Sequence, residues 1–356
     1  MYMKLKNMMT AGTCLVLSAA LLAGCGASAS EAASESASAE VVVPEETASP
    51  EVAEDSYYPV SADTYTVSSD GATWTPVTTE YTAEPQRVVA NNQGTANLLI
   101  RLGLADKLVG VAAVYGPAPE DVAEQFNAVP VIAEGYASKE AVLGVDPDFV
   151  VGRGDLFVDG DYGVGTTEEL ASAGIASYIT HVGETGANFQ SFLTDIDNLG
   201  VIFNVQDKAA ELKAYYQDYV AALQSDERWA GKTTKMAEVS WIEDGMPVFG
   251  SAAAESLQNE AFAMIGLDNI NEDCDGSQVS IETIIAEDPE LIVLFDYEGG
   301  PDMDEMIQSL YDNAALQDIS AIKNKKVISL DFNAVYGGSG DLYTAMSDLA
   351  DEFYGA

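Results

Sequence analysis

The chain says nearly the same thing twice. Residues 138–151 read SKEAVLGVDPDFVV, and residues 280–295 read SIETIIAEDPELIVLF. Each stretch runs Ser, any residue, Glu, a short apolar segment, Asp-Pro-acid, then large apolar residues. The glutamates Glu140 and Glu282 are 142 positions apart (282 minus 140). A solenoid would need more copies at a shorter period. Two copies this far apart predict two similar lobes. In each, Ser138 or Ser280 caps a short helix, the proline stops it, and the apolar run is a buried strand.

The flanking segments keep one rhythm. RVVA at 87–90, KLVGVAAV ending at Tyr115-Gly116, VPVIA, DFVVG and IASYIT read as strands. Helices over 95–102 and from a Thr166 or Thr167 cap lie between them. This alternation predicts a parallel sheet covered on both faces. Over 207–223, Ala209, Leu212, Tyr216, Tyr219, Val220 and Leu223 keep helical spacing. One long helix or a kinked pair is expected from about residue 188. The α/β rhythm then restarts: MAEVSW as a strand, helices over 256–265 and 280–286, then ELIVLF and KVISLDF as strands. Upstream, TYTVSSDGATWTPVTT predicts a hairpin around Ser69-Asp70-Gly71. The expected fold class is α/β, with two Rossmann-like lobes whose parallel sheets are joined by a long connecting helix. The lobes fall at 57–186 and 229–356, and the helical connector at 187–228.

The N-terminus reads as a processing signal. Lys4 and Lys6 precede an apolar stretch ending Leu22-Ala23-Gly24-Cys25. That is the pattern of a secretory signal peptide over 1–24 followed by a bacterial lipobox, with Cys25 as the lipidated residue. The run is too short and wrongly flanked for a membrane helix. Residues 25–56 are rich in Ala, Ser, Glu and Pro and read as a disordered tether. Cys14 leaves with the signal and Cys25 carries lipid, so Cys274 stands alone and no intramolecular disulfide is expected. The expected location is secreted, lipid-anchored to the outer face of the cell membrane.

Charge and motifs exclude several classes. There are 58 acidic residues against 15 basic ones, a net charge of −43. Such a surface repels nucleic acid and anionic lipid, leaving the lipid anchor as the only membrane contact. Gly231-Lys232-Thr233 lacks the glycine that a phosphate loop needs five positions earlier, where Asp226 stands. H-E-x-x-H and G-x-S-x-G are both absent, and no enzyme is expected. With one histidine, a bare zinc or manganese site cannot be assembled.

The repeated glutamates each lie in the first turn of a helix, where an acid complements the dipole by about 0.3–1 kcal/mol. Their placement adds more. Each helix runs antiparallel to the strand after it, so its N-terminus lies near that strand's C-terminal end. In open parallel sheets that end forms the ligand crevice. Glu140 and Glu282 are thus expected on one rim, one per lobe, suited to a partner carrying two arginines.

Taken in order, PQRVVANNQGTANLLIRLGLADKLVGVA, SKEAVLGVDPDFVVG, FQSFLTDIDNLGVIFNVQDKAAELKAYYQ, SIETIIAEDPELIVL and LQDISAIKNKKVISLD resemble the substrate-binding lipoproteins of ABC importers for iron-siderophores, haem and cobalamin. The resemblance covers about residues 60 to 356. It implies two lobes bridged by a long helix. It also implies a permease dimer with a cytoplasmic ATPase as partner, docked through Glu140 and Glu282. The cargo it implies is a metal chelate held between the lobes: a ferric siderophore first, cobalamin or haem as alternatives. No resident cofactor or metal is expected. An adhesive surface lipoprotein is the further alternative.

Strand ends facing such a cleft supply the candidate ligand residues. In the first lobe these are Asn91, Asn92, Gln93, Tyr115, Arg153 and His181; in the second, Trp241, Tyr297, Asn333 and Tyr336. Arg153 leads, because cations are scarce here and a guanidinium both pairs with anions and stacks on rings. Its competing role is a surface pair with Asp155.

Overall fold

Two four-stranded parallel sheets carry the molecule, and both are wound the same way. The computed structural model describes residues 57–355 apart from positions 70, 72, 244, 245 and 275. The expected signal peptide, Cys25 and the tether lie outside the described residues.

A hairpin of β1 (Val60–Val67) and β2 (Trp74–Tyr81) opens the described chain. The first lobe then runs β3 (Val88–Ala90), α1 (Gln93–Arg101), β4 (Leu108–Val111), α2 (Ala123–Phe126), α3 (Lys139–Leu143), β5 (Phe149–Gly152), α4 (Thr167–Ser172) and β6 (Ala176–Ile179). Its sheet order is β4-β3-β5-β6, every pair parallel. VPVIA contributes only a single bridge, Val111 to Val131, because Pro130 has no N–H for a ladder.

The connector takes the kinked-pair form: α5 (Phe189–Ile202) and α6 (Gln206–Ser225). Asn204 breaks the run in the left-handed region, at φ +54°. The two helices then fold onto each other closely. A Cβ on Gly200 would lie 2.5 Å from the Ala209 Cβ.

The second lobe comprises β7 (Thr234–Glu238), β8 (Trp241–Glu243), β9 (Met246–Gly250), α7 (Ser256–Met264), β10 (Leu267–Asn269), β11 (Gln278–Val279), α8 (Ile281–Glu287), β12 (Leu291–Asp296), α9 (Met303–Asp312), α10 (Ser320–Lys323), β13 (Val327–Asp331), α11 (Phe332–Tyr336) and α12 (Asp341–Tyr354). Its parallel sheet is ordered β10-β7-β12-β13. Counted within each lobe, both sheets have the strand order 2-1-3-4. The stretch MAEVSW is not one strand. Its parallel part ends at Glu238, and Trp241 belongs to an antiparallel sheet ordered β11-β9-β8.

The repeat holds in detail. Ser138 accepts the Ala141 N–H at 3.3 Å, and Ser280 accepts the Thr283 N–H at 3.1 Å. Asp146 and Asp288, each before its proline, both sit left-handed, at φ +51° and +48°. One apolar core runs through all parts. Val88 and Phe149 of the first lobe, Phe192 and Tyr216 of the connector, and Phe262, Leu291 and Tyr343 of the second lobe belong to it.

The lobes also touch directly. A Cβ on Gly94 would fall 2.2 Å from the Gly337 carbonyl oxygen, so only glycine lets these two backbones meet. Beside that contact the Asn92 amide donates to the Gly337 carbonyl at 2.8 Å. The Asn97 amide donates to Asp341 at 3.0 Å, and Arg101 pairs with Asp341 at 2.6 Å, both partners largely buried.

Candidate functional site

With strand order 2-1-3-4, the connections leave in opposite directions between the first and third strands. That switch point opens a crevice at the strand C-termini. In the first lobe it lies between β3 and β5, followed by Asn91 and Arg153. In the second it lies between β7 and β12, ending at Glu238 and followed by Tyr297.

From these ends an array of rings crosses between the lobes. The centroid of Tyr115 lies 6.1 Å from Tyr136, 6.5 Å from Tyr297 and 5.8 Å from Phe332. Phe332 continues to Tyr336 at 5.1 Å, and Tyr336 to Phe295 at 5.1 Å. The edge-to-face pairs at Tyr115 suit the ring quadrupoles. A backbone hydrogen bond from the Glu298 N–H to the Tyr115 carbonyl, 2.6 Å, ties the lobes at the same place. Next to it is an open cleft of about 610 Å3, lined from one lobe by Tyr115, Pro117, Phe126 and Val131, and from the other by Asp296, Tyr297, Glu298 and Asp331. That size and two-lobed lining are ordinary for a small-molecule site.

Charge is distributed unequally across the array. On the first-lobe side is Arg153, whose side chain is 26% exposed and forked onto Asp155 at 3.1 and 2.6 Å. Its charge acts on the hydroxyls of Tyr115, Tyr136 and Tyr336. On the second-lobe side, the Tyr336 hydroxyl donates to Glu255 at 2.8 Å, and Glu255 neighbours Glu238. Burial, and then the neighbouring Glu255, push the Glu238 carboxyl well above its usual range. Burial raises Glu255 as well, against the hydrogen bond from Tyr336. The pair therefore favours keeping a proton.

The expected ligand residues separate into groups. Arg153, Tyr115, Tyr297 and Tyr336 come together around the array. Asn91 is fully buried, with its amide donating to the Arg153 carbonyl and its carbonyl accepting the Arg153 N–H, both at 2.9 Å. It stands behind Arg153 and shapes that loop. Asn92 is committed to the lobe contact. Gln93 is buried, with its amide donating to the Pro117 carbonyl at 3.3 Å and its own oxygen unpartnered. Asn333 is 8% exposed with its amide nitrogen unpartnered, near Gly116.

His181 and Trp241 stand apart from the array. His181 lies 2.9 Å from the buried Asp195, which also accepts from the Tyr178 hydroxyl at 2.7 Å and the His181 N–H at 2.8 Å. Burial would lower its pKa, but Asp195 prevails and raises it. Trp241 sits in the antiparallel hairpin. Glu140 and Glu282 are exposed on their helices, and among the described residues neither is in an ion pair.

Five members of the array and its charged neighbours are new to the structure: Tyr136, Phe295, Phe332, Glu238 and Glu255. Only Glu238 left a trace in the sequence, as an acid inside the apolar run MAEV.

The comparisons agree with this architecture. The chain is 23% identical to the petrobactin-binding protein YclQ of Bacillus subtilis over 267 residues, 74% of this chain and 80% of that protein. It is 20% identical to an uncharacterized ABC transporter substrate-binding lipoprotein, YvrC, of the same organism, over 96% of this chain and 95% of that one. A periplasmic binding protein from Veillonella parvula has the same fold, with a TM-score of 0.72 and 24% identity over 84% of this chain and 99% of its own. The model of the family described as periplasmic binding protein matches residues 88–334. The chain belongs to that family, the substrate-binding proteins of ABC importers.

Proposed function

We propose that this protein captures a bulky, anionic metal chelate, a ferric siderophore, between its lobes and delivers it to an ABC permease. The observation that carries the reading is the ring array from Tyr136 to Tyr336, built by both lobes, with Arg153 beside it. Rings stack on planar or aromatic groups, and a guanidinium holds an anion or lies on a ring. An anionic chelate would draw Arg153 away from Asp155. The relative named for petrobactin supports the same class. The metal arrives inside the cargo, and the protein keeps no cofactor of its own. Glu140 and Glu282 meet cationic residues of the permease dimer. Cys25 carries the lipid that holds the protein at the outer face of the membrane, in line with the lipoprotein name of YvrC.

The test is a fluorescence titration of the purified protein with ferric petrobactin, a ferric hydroxamate, haem and cobalamin, each beside its metal-free form. Saturable quenching by a ferric chelate, with a Kd on the order of micromolar or tighter, is the expected result. Quenching only by haem or cobalamin would move the cargo class. Flat traces throughout would remove the chelate reading and leave the family. The anchor is tested separately: Cys25→Ser is expected to release the protein from the membrane fraction, and retention there would refute lipidation.

A further inference from the structure

The rim glutamates do not stand alone on their helices. One turn further on, the repeat places Leu143 after Glu140 and Ile285 after Glu282. Leu143 is 43% exposed and Ile285 is 37% exposed. They are two of seven large hydrophobic residues left exposed among the described residues. Residues three apart on a helix share a face. The residue between, Val142 or Ile284, is fully buried, so each helix is fastened to its lobe by the same position and turns the same side outward. The left-handed Asp146 and Asp288 close the two copies alike. Each lobe thus shows water one unpaired carboxylate with one apolar side chain beside it. Lys139, the cation nearest Glu140 in sequence, is occupied by Glu169 at 2.6 Å.

We propose that each rim helix is a two-part footprint, Glu140 with Leu143 and Glu282 with Ile285. Its partner is the outer face of a two-fold permease that offers, in each half, a cationic side chain next to an apolar depression. The inference rests on the reading that Glu140 and Glu282 face the permease, and it assigns the neighbouring contact. Charge complementarity selects the occupant. A free carboxylate calls for a cation, and the apolar neighbour excludes water from that pair and strengthens it. A second copy of this chain would bring carboxylate against carboxylate on a surface of net charge −43. An anionic bilayer is repelled for the same reason.

The experiment uses the full chain with a photoreactive residue at 143 or 285, added to right-side-out membrane vesicles from the source organism. Adducts are identified by mass spectrometry. Leu143→Ser with Ile285→Ser, and separately Glu140→Ala with Glu282→Ala, compete against the probe beside the wild-type protein. The expected adduct is the membrane-spanning subunit of an ABC importer, and each double variant is expected to compete about tenfold less well than wild type. If only the glutamate variant loses competition, the apolar half of the footprint falls and the docking reading stands. If neither loses, both fall. An adduct to a second copy of this chain, or to lipid, overturns the proposed occupant. Circular dichroism checks that the variants fold, and Leu143→Gln with Ile285→Gln replaces the serine pair should it fail to.

Discussion

Glu238, 1% exposed, closes a parallel strand with a carboxyl that neighbours Glu255 and accepts from the Asn269 amide at 3.3 Å. Its folded pKa is raised, first by burial and then by Glu255. A raised acid holds its proton longer folded than unfolded, so its contribution to stability is full below the unfolded value and is lost as pH climbs through the folded one. Melting temperature is therefore expected to fall as pH rises above the ordinary carboxylate range, with Glu238→Gln flattening that slope because glutamine mimics the protonated acid. An unchanged slope in the variant would show the pair ionised and compensated. Across the array, Arg153→Ala is expected to weaken an anionic chelate at least about tenfold, from a lost charge-assisted contact of roughly 1.5–3 kcal/mol. Equal affinity would assign Arg153 to Asp155 alone. Arg153 was legible because cations are scarce and this one follows a strand. Tyr136 and Phe332 were not, because aromatic residues beside a helix cap or a strand end look the same whether they face core or cleft.

The elements were read best where local chemistry decides them. Ser138, Ser280 and Thr166 announce their helices because a hydroxyl satisfies amides that the helix itself leaves free. Thr166 makes the full capping box with Glu169. The split of MAEVSW was missed because the period continues while the chain changes partners. The signal lay downstream in the sequence, where Asp244-Gly245, a dipeptide that favours tight turns, separates the segments that pair as β8 and β9. Close helix contacts were also invisible, since they depend on residues far apart in sequence. Gly200 is the clearest case. Gly200→Ala would drive a methyl against Ala209, and a loss of about 1–3 kcal/mol is expected in denaturant melts. A neutral result would mean that α5 and α6 slide apart easily.

On the scale of the whole molecule, the lobes are joined twice: by a core continuous through the connector, and by the Gly94–Gly337 contact with its buried Arg101–Asp341 pair. Two fastenings resist hinge bending. Ligand binding is expected to change the radius of gyration in X-ray scattering by less than about 1 Å, small beside domain-closure motions. A larger contraction would mean that the Gly94 contact breaks and re-forms. Breaking it deliberately, Gly94→Ala is expected to widen the gap between the lobes and weaken cargo binding, measured by the same scattering and titration.

The outward face repeats while the cleft does not, and this has a kinetic meaning. A body whose contact points are interchanged by half a turn has no front or back for a partner with two matching halves. If the two proposed footprints are related in that way, either of two opposite approaches would seat it equally, and productive collisions would occur about twice as often as for a one-sided contact of equal strength. With docking as proposed, a cargo bound beside Arg153 would then arrive in two opposite poses. The passage beneath would have to accept both.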